Sequence, residues 1–153
     1  MADWLDELVG PLWRQYPAGT VPGLPGVALL ARFVDGPGGR RVVAGLLLLG
    51  DAVTAEQLRR VPIAALENGA NLGSSLHQAL KRLRPLRRGQ LNREQFAGLV
   101  AEHYAVWARH VPHPVAGMAD MWHVNPATVH GWVREARLRG LLPPARRGKG
   151  STS

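Results

Sequence analysis

Six histidines and a serine pair are the side chains of this chain best suited to chemistry, and their spacing supports none. A structural or catalytic zinc needs three or four ligands converging on one point. His110 and His113 flank Pro112, His123 and His130 stand well apart, and the nearest carboxylates are Asp120 and Glu135. No His-Glu-x-x-His is present. Ser74 and Ser75 lie close to His77 only along the chain, and a serine nucleophile needs a base held against it in space. Residues 69–75, Gly-Ala-Asn-Leu-Gly-Ser-Ser, lack the lysine of a phosphate-binding loop. The expectation is a protein that is not an enzyme, with no catalytic residue, no metal and no cofactor.

The remaining chemistry is ionic recognition, and its groups are unevenly spread. Residues 1–70 hold 6 Lys/Arg against 7 Asp/Glu, a net of −1, whereas residues 71–153 hold 13 against 4, a net of +9. All six histidines fall in the basic half. A near-neutral half joined to a strongly basic one suggests that the second half meets a polyanion. The chain is 46% hydrophobic and 20% charged, which places it among globular proteins rather than disordered ones. It has no cysteine, which excludes disulfides and thiol chemistry and suits a reducing, cytoplasmic setting. The acidic start, Asp3 to Glu7, does not read as a secretory signal, and the apolar run 42–49 is far too short to span a bilayer, so no membrane partner is expected.

The elements that must position these groups predict an α+β chain, mainly α-helical. Residues 3–16 carry Trp4, Leu5, Leu8, Leu12 and Trp13 at helical spacing. Residues 27–34 and 41–49 are apolar, β-branched runs about a Gly/Pro turn, and they predict a β-hairpin. A lone hairpin is marginal in water. Both its strands are apolar on both faces, so the second face needs cover from helices of the same chain or from a second copy, and a homodimer through the N-terminal half is the favoured expectation. Thr54 and Gln57 fit a capping box, Pro62 breaks the helix that follows, and Asn68 to Asn71 read as a helix end. Residues 72–83 are compatible with a further helix. Asn92 and Gln95 form a second capping box, followed by a stripe of Phe96, Leu99, Val100, His103, Tyr104 and Trp107. The predicted domains are residues 1–84 (hairpin and helices, for dimerisation or partner binding), 91–142 (a tri-helical helix-turn-helix unit) and 143–153 (a disordered basic tail).

Residues 115–139 are the most informative. Two helices joined by a short turn need a small residue at their contact, apolar anchors around it, a turn residue that tolerates a left-handed backbone, and an apolar plug. Met118 and Trp122 anchor, Ala119 is small, His123 takes the turn and Val124 plugs it. Asn125 caps the second helix, Pro126 occupies its first position, and Val129, Trp132, Val133 and Ala136 recur on its inner side. Trp122, Val129 and Trp132 are expected to be core. The turn position is usually glycine; histidine is among the residues that enter this region at modest cost.

The run Val-Asn-Pro-Ala-Thr-Val-His-Gly-Trp-Val-Arg-Glu-Ala-Arg-Leu-Arg-Gly-Leu-Leu at 124–142 resembles helix-turn-helix DNA-binding regulators encoded by actinobacterial phages and integrative mobile elements. The resemblance covers about residues 92–142, and more weakly the hairpin with Thr54 to Arg59. It implies binding of double-stranded DNA and leaves the biological role open.

With the second helix in a major groove, Asn125, Ala127, Thr128, His130, Gly131, Arg134 and Arg137 are the candidate DNA-binding residues. Thr128, His130 and Arg134 suit base edges or phosphates, Ala127 a thymine methyl, and Gly131 a close backbone approach. Asn125 reads first as a cap. Arg146 and Arg147, with Lys149, form a basic arm for further phosphates. The leading expectation is a sequence-specific transcriptional regulator. The alternatives are an accessory protein of a mobile element, acting in excision, partition or packaging, and a protein-interaction module whose helix-turn-helix no longer binds DNA.

Overall fold

The computed structural model describes residues 12–145. Of these, 49% are helical and 16% lie in strands, so the class is mixed α+β and mainly helical. The described residues form two compact units: 12–72 with 110–113, and 73–109 with 114–145. The division falls upstream of the gap between residues 84 and 91 that separates the two domains predicted from the sequence.

The first unit is built on a three-stranded antiparallel sheet, β1 (Trp13–Tyr16), β2 (Ala28–Asp35) and β3 (Arg41–Leu49), in the order β1-β2-β3. The hairpin β2–β3 is the expected one, closed by a single 3-10 turn over Pro37–Gly39. The third strand corrects the helix expected over residues 3–16: Trp13–Tyr16 pairs with Leu29 to Arg32 instead, and residues 3–11 of that helix lie outside the described residues. Helical spacing in this segment is overridden by the unpaired edge that β2 otherwise presents.

Cross-strand partners share a face. One face carries Leu29, Ala31 and Phe33, with Val43, Leu48 and Tyr16 opposite them. This face joins Val21, Leu24, Val27 and Leu66 in one core cluster. Leu24 and Leu29 are fully enclosed. Two helices follow, α1 (Ala55–Arg59) and α2 (Ile63–Asn71). α1 starts on the capping box: Gln57 N–H donates to Thr54 Oγ1 at 3.2 Å, and Thr54 N–H donates to Gln57 Oε1 at 2.9 Å. Pro62 ends it by removing a donor and restricting the residue before it.

α2 carries two buried polar side chains, Glu67 and Asn68. Asn68 binds one backbone residue twice, donating from Nδ2 to His113 O at 2.8 Å and accepting His113 N–H at 3.1 Å. Glu67 accepts Val43 N–H at 2.8 Å and meets His113 Nε2 at 2.5 Å. Asn71 clamps Arg41 in the same two-sided manner at 2.7 Å each way. Residues 110–113 are thereby held as an added segment of this unit. Asn68→Ala is expected to lower its stability by about 1–2 kcal/mol in urea denaturation, since it strands a backbone donor and acceptor that water only partly reaches.

The second unit is helical: α3 (Ser74–Lys81), α4 (Arg93–His110), α5 (Pro114–Trp122) and α6 (Pro126–Leu138). α4 begins at the second capping box, in which Gln95 N–H donates to Asn92 Oδ1 at 2.8 Å and Asn92 N–H to Gln95 Oε1 at 3.1 Å. The expected stripe faces inward, with Phe96, Leu99, Val100, His103 and Trp107 buried and Tyr104 half-buried. Gly117 of α5 approaches Trp107 of this stripe and Trp132 of α6 meets Phe96, while Met118 and Ala119 of α5 and Val129, Val133 and Ala136 of α6 are each at most 2% exposed. Among the described residues no helix is long and apolar enough to cross a membrane.

Candidate nucleic-acid interface

The turn between α5 and α6 is the feature that fixes the candidate site. His123 has φ 52°, the one positive φ outside glycine among the described residues. Val124 N–H donates back to Ala119 O at 3.1 Å and His123 N–H to Asp120 O at 3.4 Å, which closes the end of α5 with the paired bonds of a left-handed helix stop. The left-handed residue turns the chain so that Asn125 opens the next helix. Because this conformation strains a residue with a Cβ, His123→Gly is expected to raise stability by about 0.5–1 kcal/mol, and His123→Ile to lower it by about 1–2 kcal/mol. Thermal or urea unfolding of both variants checks the pair of signs.

Asn125 has extended backbone and its Oδ1 accepts Ala127 N–H at 2.8 Å, with Pro126 at the first helical position. Its side-chain oxygen is thus a cap. From there α6 divides cleanly. Val129, Val133 and Ala136 are buried, whereas Ala127, Thr128, His130, Gly131 and Arg134 are all exposed. At 3.6 residues per turn Ala127, Gly131 and Arg134 share one stripe, with His130 on one flank and Thr128 on the other. A Cβ placed on Gly131 meets nothing within 4 Å, so this stripe is open at its centre.

Not every expected contact is free. Arg137 stacks over the Tyr104 ring at 5.3 Å from its centroid, donates to Tyr104 Oη at 3.1 Å, and donates from Nε to Pro143 O at 3.2 Å. Arg139 pairs with Glu135 at 2.8 Å, one helical turn away. Arg134 has no hydrogen-bond or ion-pair partner among the described residues. Arg146 and Arg147 lie outside the described residues.

Two tryptophans depart from expectation. Trp122 and Trp132 are half-buried rather than core, unlike Val129, which is fully enclosed. Trp132 meets the edge of Phe96 at 5.1 Å between centroids and lines a shallow cleft with Arg88, Arg93, Ala97 and Glu135. Arg88 and Arg93 are therefore basic groups beside Trp132 of α6 that are absent from the candidate residues read from the sequence. Arg93 opens α4, where a cation opposes the helix dipole, and that local conflict is the signal available in the sequence. Among the described residues no group of three or more His, Cys, Asp or Glu is placed to hold a metal ion.

No protein-family model, curated protein or solved structure matches this chain.

Proposed function

We propose that the chain binds double-stranded DNA in a sequence-specific manner, as a transcriptional regulator without catalytic activity, by seating α6 in the major groove. The supporting observation is the sidedness of α6: a helix anchored by Val129, Val133 and Ala136 whose other side, from Ala127 to Arg134, is exposed. A helix with its side chains is about 10–12 Å across, which suits a groove about 12 Å wide. Thr128, His130 and Arg134 supply donors and acceptors for base edges or phosphates, and Gly131 leaves room for close approach. Arg88 and Arg93 extend the basic surface, and the excess of cations in residues 71–153 matches the charge of the phosphate backbone.

A homodimer in the cytoplasm belongs to the same proposal, since two copies read two half-sites and the pairing fixes their spacing. In its favour, the second face of the sheet carries half-buried Leu47 and Leu49 on β3, and Val34 on β2 is 39% exposed.

Selection of fragments from random duplex DNA by the full chain tests the proposal. The expected outcome is an enriched motif, bound with an affinity whose logarithm falls against log salt at a slope of about −4 to −5, as for about four to six phosphates neutralised. Recovery of no motif, together with an affinity that salt leaves unchanged, refutes it.

A further inference from the structure

We propose that two copies of this chain join edge to edge through β3, pairing residues 45–49 antiparallel about a two-fold axis at Leu47. This rests on the homodimer of the proposed function and gives it an interface along the strand edge rather than across the sheet face.

β3 is an outer strand, paired with β2 on one side only. An outer strand presents its backbone N–H and C=O groups to whatever lies beside it. The chain itself occupies the first half of this edge. Arg41 exchanges both backbone bonds with the Asn71 side chain at 2.7 Å, and Val43 N–H donates to Glu67 Oε1 at 2.8 Å. Ala44 is then left without a partner where the register shifts opposite Arg32 and Phe33, and regular pairing resumes from Gly45 to Leu49. Residues of an antiparallel pair alternate in the side to which they turn their backbone groups. Counted through the shift, Leu46 and Leu48 turn theirs to the same open side as Arg41. Among the described residues nothing bonds to the backbone on that side from Ala44 to Leu49.

The open half also lacks the side chains with which outer strands repel partners. Residues 44–49 read Ala-Gly-Leu-Leu-Leu-Leu, with no charge and no proline. None of the six is buried, and Leu46 is 36% exposed.

The symmetry of the run and the charges at its ends point to a second copy as the occupant. A two-fold contact uses the same patch on both copies. With the axis at Leu47, Leu46 of one copy opposes Leu48 of the other, and Gly45 opposes Leu49. Arg41 stands before the open half and Asp51 after it; both are exposed, and neither forms an ion pair among the described residues. Antiparallel self-pairing brings the Arg41 end of each copy to the Asp51 end of the other, whereas parallel pairing sets like charges together. Pairing that stops at Gly45 leaves the Asn71 and Glu67 bonds intact.

Sedimentation of the full chain and its variants tests the proposal, and the parent is expected to sediment as a dimer. Leu46→Pro removes an N–H that the chain's own sheet does not use, and is expected to raise the dimer Kd at least about tenfold with the circular dichroism of the parent. Leu46→Lys, at the same exposed position, is expected to do so without a backbone change. Arg41→Asp is expected to weaken the dimer, and Asp51→Arg in the same chain to restore it. The chain has no cysteine, so Leu47→Cys supplies a single thiol. The two Cα atoms of that non-hydrogen-bonded pair lie about 4.5 Å apart, within the about 4.4–6.8 Å that a disulfide spans. With oxidised glutathione as the oxidant, a covalent dimer is expected on a non-reducing gel. A dimer that Leu46→Pro and Leu46→Lys both leave as tight as the parent overturns the edge contact while the homodimer itself stands. A parent that sediments as a monomer overturns both.

Discussion

Gly117→Val in α5 is expected to destabilise the helical unit by about 3 kcal/mol, at the upper end of the range for overpacked cores. The reason is a single close approach. A Cβ on Gly117 falls 2.5 Å from Cζ3 and 2.6 Å from Cε3 of Trp107, a separation that real side chains do not tolerate. The indole cannot swing away, because Trp107 is 4% exposed and sits on the buried stripe of α4. Trp107→Ala is expected to lower stability by about 3–5 kcal/mol through the cavity it leaves. The two effects should not add. Combined with Gly117→Val, Trp107→Leu gives the new methyl groups space, so the double variant is expected to be more stable than the sum of the singles by about 0.5–3 kcal/mol. Urea midpoints followed by circular dichroism measure the cycle, and strict additivity contradicts the contact.

This contact also shows where the sequence stops being informative. Ala119 satisfies the rule that a small residue sits at the helix crossing, and it is buried as that rule requires. Nothing in the local pattern says that Gly117, two residues earlier, lies flat against a tryptophan from the preceding helix. Which aromatic fills which gap is a property of tertiary packing, and periodicity reports only the inward side. The same division holds elsewhere. Thr54, Asn92 and Asn125 were legible as caps because a cap is decided within four residues. β1 was not, since Trp13 and Tyr16 fit a helix locally and become strand only through pairing with Arg32 and Leu29. The burial of Glu67 and Asn68 was also hidden: Asn68 read only as part of a helix end, and their burial goes with the return of residues 110–113, a contact distant in sequence.

At the candidate interface the inner and outer sides of α6 were legible from its period. The state of individual arginines was not, because it depends on neighbours in space. That difference yields the second large effect. Arg134→Ala is expected to weaken binding to a selected duplex by about 1–3 kcal/mol, roughly 5- to 150-fold, and to relax the sequence preference at one position if the contact is to a base edge. If it is to a phosphate, the loss is uniform across sequences and the salt slope drops by about 1. Arg139→Ala, whose guanidinium is occupied by Glu135, is expected to have a much smaller effect. Arg137→Ala should act mainly on the fold, by about 0.5–1 kcal/mol, through the lost stack on Tyr104. Competition binding with all three variants on one duplex gives the ranking, and an Arg139 effect equal to that of Arg134 contradicts it.

The central claim is that the open stripe of α6 is the surface that meets DNA, and Gly131→Glu tests it with a change that the fold tolerates. A side chain at this position finds open space, and glutamate favours helix over glycine by more than the about 0.2–0.5 kcal/mol that repulsion from Glu135 takes back. Thermal unfolding of the variant is therefore expected at or above the parent midpoint. Its affinity for the selected duplex is expected to fall at least about tenfold, as a bulky anion enters the space reserved for the groove. An equally stable variant that binds the duplex as tightly as the parent contradicts the account.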